Sequence, residues 1–182
     1  MKAALENYLS DATGIFKRYK LLADKAIERA ADDVFFDQLD DNSNSIAIIV
    51  KHLAGNMRSR WRDFLTSDGE KPDRNRDSEF IRSDEDGRAS LMDAWENGWK
   101  LLFDGMKSLR PADMSRKITI RGESHTVIEA INRQLTHCAY HVGQIVYLAR
   151  YLTEDWESLS VPKGKSEEFN RRMGGEFGRP DK

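Results

Sequence analysis

The chain has a single cysteine, Cys138, among 182 residues, so no intrachain disulfide is possible and a thiolate metal cluster is excluded. One cysteine suits a reducing cytosol, and a cytoplasmic location is expected. No apolar run approaches the roughly 18 residues of a membrane span. Met1–Gly14 carries Glu6 and Asp11 and lacks the continuous apolar segment of a signal peptide. Net charge is nearly absent: Lys+Arg is 29 and Asp+Glu is 31, a formal −2. Nucleic acid and anionic membrane are therefore not expected as main partners, since both need clustered positive charge. Proline is scarce at 4, and glycine at 12 leaves long uninterrupted stretches. What is present is a 39% hydrophobic, 33% charged composition, that of a globular domain and not of a disordered chain.

Four stretches have helical periodicity. In the first, about Lys2–Ala31, Leu5, Leu9, Ala12, Phe16, Tyr19, Leu22, Ala26 and Ala30 recur at steps of three and four and share a face. An acidic link, Asp32–Asp41, follows, with Phe35 and Phe36 expected to pack against the body. A second helix is expected to begin near Asn42–Ser45, where short polar side chains cap exposed amides, and to run through Ile46, Ile49, Val50, Leu53, Met57, Trp61 and Phe64. Thr66–Asp84 has turn chemistry and no period. It is long for a connection in a compact domain and long enough to cross a helix bundle, so its flanking helices can run parallel.

The third helix is expected over about Asp86–Leu109 and is closed by Pro111. Ser115–Thr126 alternates around Arg121–Gly122 and predicts a small β-hairpin. The fourth helix opens on Thr126-Val127-Ile128-Glu129, a capping box, and runs to about Leu152. The expected fold is therefore all-α: a four-helix bundle over residues 1–153, with a long second-to-third-helix crossover, a β-hairpin before the last helix, and an extended C-terminal tail over 154–182. One short helix is expected in that tail, near Ser166–Met173.

The 4 histidines are the most informative residues. His137 and His141 lie one turn apart on one flank of the fourth helix, where two imidazoles can chelate one ion. The spacing alone is weak, and the place of the metalloprotease general base is taken by Cys138. His52 sits in the most apolar part of the second helix, where an unsatisfied polar group costs about 1–3 kcal/mol. Two helices can aim three imidazoles at one point, a common catalytic zinc arrangement that also suits nickel and iron. The alternative is three unrelated histidines. His125, at the end of the hairpin, reads as a surface or turn residue. Cys138 turns onto the core seam and reads as a small buried hydrophobe. Gln134 and Asn56, each about a turn from a histidine, are candidates for contacts to ligand or substrate, with core packing as the alternative. No carboxylate stands at a spacing that marks a general base.

Three features agree in Lys51-His52-Leu53-Ala54-Gly55-Asn56, in Leu135-Thr136-His137-Cys138-Ala139-Tyr140-His141-Val142-Gly143-Gln144-Ile145, and in the four helices around them. The chain resembles the DinB-like superfamily of metal-dependent enzymes. The segment Ser158-Leu159-Ser160-Val161-Pro162-Lys163-Gly164 through Asn170 is similar to one functionally uncharacterised branch of it. The resemblance covers about Lys2–Asn170. It implies a divalent metal, nickel or zinc, on His52, His137 and His141. Better-known relatives transfer low-molecular-weight thiols such as bacillithiol or isomerise substrates with mycothiol. The expected function is thus a metal-dependent S-transferase on a small-molecule substrate. A metal-dependent hydrolase and a non-catalytic metal-binding bundle are the alternatives. A homodimer is also implied.

Overall fold

The computed structural model describes residues 2–173, and these are mostly helical, with 64% in helix and 5% in strand. In chain order the elements are α1 (Lys2–Arg29), α2 (Asp32–Phe36), α3 (Ile46–Trp61), α4 (Arg88–Ser108), β1 (Lys117–Ile120), β2 (Glu123–Thr126), α5 (Val127–Leu152) and α6 (Ser166–Arg172). Short 3-10 turns at Asp77–Phe80 and Pro111–Asp113 flank α4. The acidic link is partly helical, as α2, because Phe35 and Phe36 dock there. Phe35 is fully buried, and the guanidinium groups of Arg88 and Arg82 lie over the two rings at 4.7 and 4.0 Å. α3 ends at Trp61, short of Phe64, and Asp63 beyond it takes a left-handed conformation at φ 50°. The remainder of the expected tail, 174–182, lies outside the described residues.

Local chemistry sets the helix starts. Ser45 Oγ accepts from the Ile48 amide at 3.2 Å and opens α3. At α5 the Glu129 amide donates to Thr126 Oγ1 and the Thr126 amide donates to Glu129 Oε2, so each side chain satisfies the other's exposed amide. The end of α1 is closed in part from another helix: Arg88 donates to the Ile27 and Ala30 carbonyls, and the Ile27 carbonyl also accepts from the Ala30 amide.

Contacts between helices give their directions. Ala54 faces Gly98 and Trp61 faces Gly105, so α3 and α4 run the same way. Arg88 reaches Ile27 while Lys20 reaches Glu96, so α1 and α4 run opposite ways. Tyr8 donates to Asn132 at 2.7 Å near one end and Arg29 covers Trp156 near the other, so α1 and α5 are parallel. Parallel α3 and α4 require the connection between them to travel back along the molecule, which residues 62–87 do.

That crossover is fastened to the hairpin. The Gly69 amide donates to the Thr119 carbonyl at 2.8 Å. The Asp68 carboxylate accepts from the amides of Arg121 and Gly122 at 2.8 and 2.9 Å, and both donors are left-handed, at φ 57° and 76°. Two successive positive φ values match the two-residue turn that joins twisted strands, and Asp68 holds Arg121 in a conformation a side-chain-bearing residue resists. The core lies among α1, α3, α4 and α5 and centres on Phe16, Leu53, Trp95, Trp99, Ile131 and Ile145. Ile46–Val50 is buried at every position, as expected of a helix enclosed on all sides.

Two predictions follow from these contacts. A Cβ at Gly98 would stand 3.2 Å from Ala54 Cα. Gly98→Val is therefore expected to force α3 and α4 apart and cost about 1–3 kcal/mol in urea denaturation. For Asp68, burial acts to raise the carboxyl pKa, but backbone amides of Glu70, Gly122 and Arg121 outweigh it and lower the value to about 2. A carboxylate depressed in the folded state contributes stability above its unfolded pKa, near 3.8, and loses it as pH falls through about 2. Asp68→Asn is expected to cost on the order of 1 kcal/mol at neutral pH, the screened value for a solvent-facing group. Acid titration of both proteins should show that gap shrinking between about pH 4 and pH 2.

Candidate metal centre

α3 supplies His52 and α5 supplies His137 and His141. The fourth-helix spacing stacks its two rings one turn apart, with centroids 4.6 Å apart. The His52 ring lies 5.2 Å from His137 and 4.9 Å from His141. One ring nitrogen from each residue lies within 4.8 Å of the other two. The three histidines are thus brought together in space, and the alternative of three unrelated residues is set aside. His125 is elsewhere, on β2, paired with Ile118 across the hairpin. It is half-buried, not a freely exposed turn residue, because it is on a strand that leans on the body.

His52 Nδ1 donates to Glu79 Oε2 at 2.8 Å, which leaves Nε2 facing the other two rings. His141 Nδ1 donates to Gln144 Oε1 at 2.7 Å, with the same result. His52 Nε2 is 3.2 Å from His137 Nε2. The two facing nitrogens share a proton or flank a cation. Two imidazoles on one tetrahedral zinc ion stand about 3.3 Å apart, close to this separation. Burial pushes the His137 imidazole down to about 3, helped by the neighbouring His141, His52, Arg74 and Arg60. Burial and His52 push His141 down to about 4, against its bond to Gln144. Both rings are neutral at physiological pH, the form that ligates metal.

Glu79 is the residue that sequence reasoning missed. It lies on the 3-10 turn of the crossover, is 6% exposed, and accepts from Arg74 Nε and Nη2 at 2.8 Å each. Burial acts to raise its pKa, and the bonds from His52 and Arg74 overcome this and hold it below the usual range. A carboxylate behind a histidine fixes tautomer and ring orientation, as in metal centres generally. No spacing rule connects positions 52 and 79. The only signal was an acidic residue beside Phe80 in an otherwise exposed, polar stretch, and Phe80 packs on the His52 ring at 4.6 Å.

Asn56 and Gln134 both border a cavity of about 150 Å3 beside His52 and His137. Trp61, Phe64, Ile118 and Ile120 form its apolar wall. The Gln134 amide donates to Cys138 Sγ at 3.3 Å, whereas Asn56 Oδ1 is buried with no hydrogen-bond partner. Cys138 is fully buried, and burial pushes its thiol up to about 12, so it is no nucleophile.

A family model described as a protein of unknown function, DUF1572, matches residues 3–165. The chain belongs to this family. No curated protein and no solved structure matches it. The matched span of this DUF1572 chain takes in all three histidines, Glu79 and the hairpin. Among the described residues, no helix is long and apolar enough to cross a membrane.

Glu79→Ala in this DUF1572 protein strips the buried Arg74 side chain of its two-pronged partner. Removing one member of a buried pair costs about 3–5 kcal/mol, and urea denaturation should show a loss of that size. Nitrogen-15 spectra should also show His52 changing from a single Nδ1–H tautomer to a mixture.

Proposed function

We propose that this DUF1572 protein is a divalent-metal-dependent enzyme acting on small molecules, with His52, His137 and His141 as the protein ligands. The observation that carries this is the convergence of three ring nitrogens within 4.8 Å, two of them oriented by Glu79 and Gln144. Ligand chemistry fits: neutral imidazoles suit zinc and nickel, and three of them leave a coordination position for another group. A bound divalent ion would supply Lewis acidity and lower the pKa of a thiol or water at that position.

The chain's own groups favour an S-transferase that uses an external low-molecular-weight thiol. Cys138 is sealed off, so the nucleophile comes from outside the chain. Glu79 has both oxygens engaged by His52 and Arg74, so it orients and does not act as a free base toward water. A thiol ionises more readily than water and needs such a base less. The cavity beside His52 and His137 is where a substrate would lie. A DinB-like four-helix bundle is part of the same proposal. It is supported by the parallel α3 and α4, the crossover between them and the motifs around His52 and His137. The resemblance is also the ground for proposing a cytoplasmic homodimer.

Elemental analysis of untagged protein tests the metal site. Near-stoichiometric zinc or nickel is expected in wild type and its loss in His52→Ala and in His137→Ala. Metal retained in both variants would sink the assignment. Gly55→Ala offers a graded version, since its Cβ would stand 2.8 Å from Glu79 Cδ and displace that carboxylate, while alanine favours the helix. Chelator competition should show affinity falling about 10–100-fold.

A further inference from the structure

The cavity beside the histidines is unusual for its charge. Five arginines border it, Arg60, Arg74, Arg76, Arg121 and Arg133, in a chain whose formal net charge is −2. They come from α3, the crossover, the hairpin turn and α5, so only the fold assembles them. Two carboxylates answer them. Glu70 Oε2 is shared by Arg60 at 2.9 Å, Arg121 at 3.1 Å and Arg74 at 3.3 Å. Glu79 is shared between Arg74 and His52. Among the described residues, Arg133 has no carboxylate partner, and Arg76 has only Asp77, an almost fully exposed side chain 3.9 Å away. Arg76 lies over the Phe80 ring at 4.9 Å, and Phe80 in turn packs on His52, so one aromatic ring separates this weakly paired guanidinium from a proposed metal ligand.

Positive charge in excess around a concave, partly apolar site attracts and orients an anion. A volume of about 150 Å3 is that of a cavity that accepts benzene, so the enclosed part of the ligand is small. The apolar wall of Trp61, Phe64, Ile118 and Ile120 suits a hydrocarbon or ring portion.

We propose that this cavity binds a small anionic substrate through Arg76 and Arg133. Its carboxylate or phosphate group meets these guanidiniums at the mouth, its apolar part lies on the Trp61 wall, and its reacting end is directed to His52 and His137. Arg60, Arg74 and Arg121 are committed to Glu70 and Glu79 and keep the wall rigid. The inference rests on the reading of the histidine cluster as a small-molecule site and names the class of molecule it takes.

Calorimetric titration of the full chain with inorganic phosphate and, separately, with benzoate tests it, using both zinc-loaded and chelator-treated protein. At least one probe is expected to bind with a Kd on the order of 1 mM or better, more weakly at high salt. The double variant Arg76→Gln/Arg133→Gln should raise that Kd about tenfold or more, with circular dichroism and zinc content unchanged. Lys107→Gln, which removes an exposed positive charge that does not line the cavity, should leave it unchanged. Which probe binds more tightly tells carboxylate from phosphate. Failure of both probes, a double variant that binds like wild type, or an equal loss in Lys107→Gln would each overturn the proposal. Arginine-dependent binding in a protein that takes up no zinc would leave this inference standing and remove the metal reading. Zinc uptake without anion binding would do the reverse.

Discussion

The hydrogen bond from His52 to Glu79 is the contact on which the site depends. A histidine placed in the enclosed run of α3 must satisfy both ring nitrogens. Glu79 takes one, and this turns the other toward α5. The same bond draws the crossover down onto α3, since Glu79 can reach His52 only if Asp77–Phe80 folds as a turn against that helix. Glu79 in turn needs compensation for burial, and Arg74 provides it from within the crossover. Arg74 continues to Glu70, and Glu70 to Arg60 and Arg121. One chain of charge-assisted bonds thus ties α3, the crossover and the hairpin turn to the orientation of a single imidazole.

This accounts for how an irregular segment of the chain comes to be ordered. Residues 62–87 have little periodic apolar character and include only short turns. Polar contacts order much of this segment, among them Asp68 on the hairpin turn, Glu79 on His52, and Lys51 on Asp86 and the Ile81 carbonyl, beside Phe64 stacked on Trp61. The core holds the four long helices, and the charged network holds what lies over the site. Packing and chemistry are thus carried by different forces with different sensitivities to salt.

Much of the architecture could be read from local pattern. The capping box at Thr126 and Glu129 spans three residues, and its two bonds form within one turn. The pairing of His137 with His141 is a consequence of helical pitch alone. The hairpin followed from alternation around Arg121–Gly122. What could not be read was set by contacts between distant positions. Glu79 lies in a stretch with no period, and only the neighbouring Phe80 sets it apart from Asp77 or Asp84. Five arginines at 60, 74, 76, 121 and 133 form no motif, and a near-zero net charge conceals that they converge. The helical part of Asp32–Asp41 was missed for a related reason: α2 is only 5 residues long and is stabilised by docking Phe35 and not by its own propensity.

Cys138 stands one position from His137, yet its sulfur is enclosed on the core side of α5 and holds its proton tightly. An electrophile entering the cavity would meet imidazoles and guanidiniums, but no ionised sulfur belonging to the protein. The chain therefore offers such a compound no thiolate to alkylate, and oxidants find no accessible thiol to convert. A site that works beside reactive molecules would keep its chemistry through many turnovers because its only sulfhydryl is locked away.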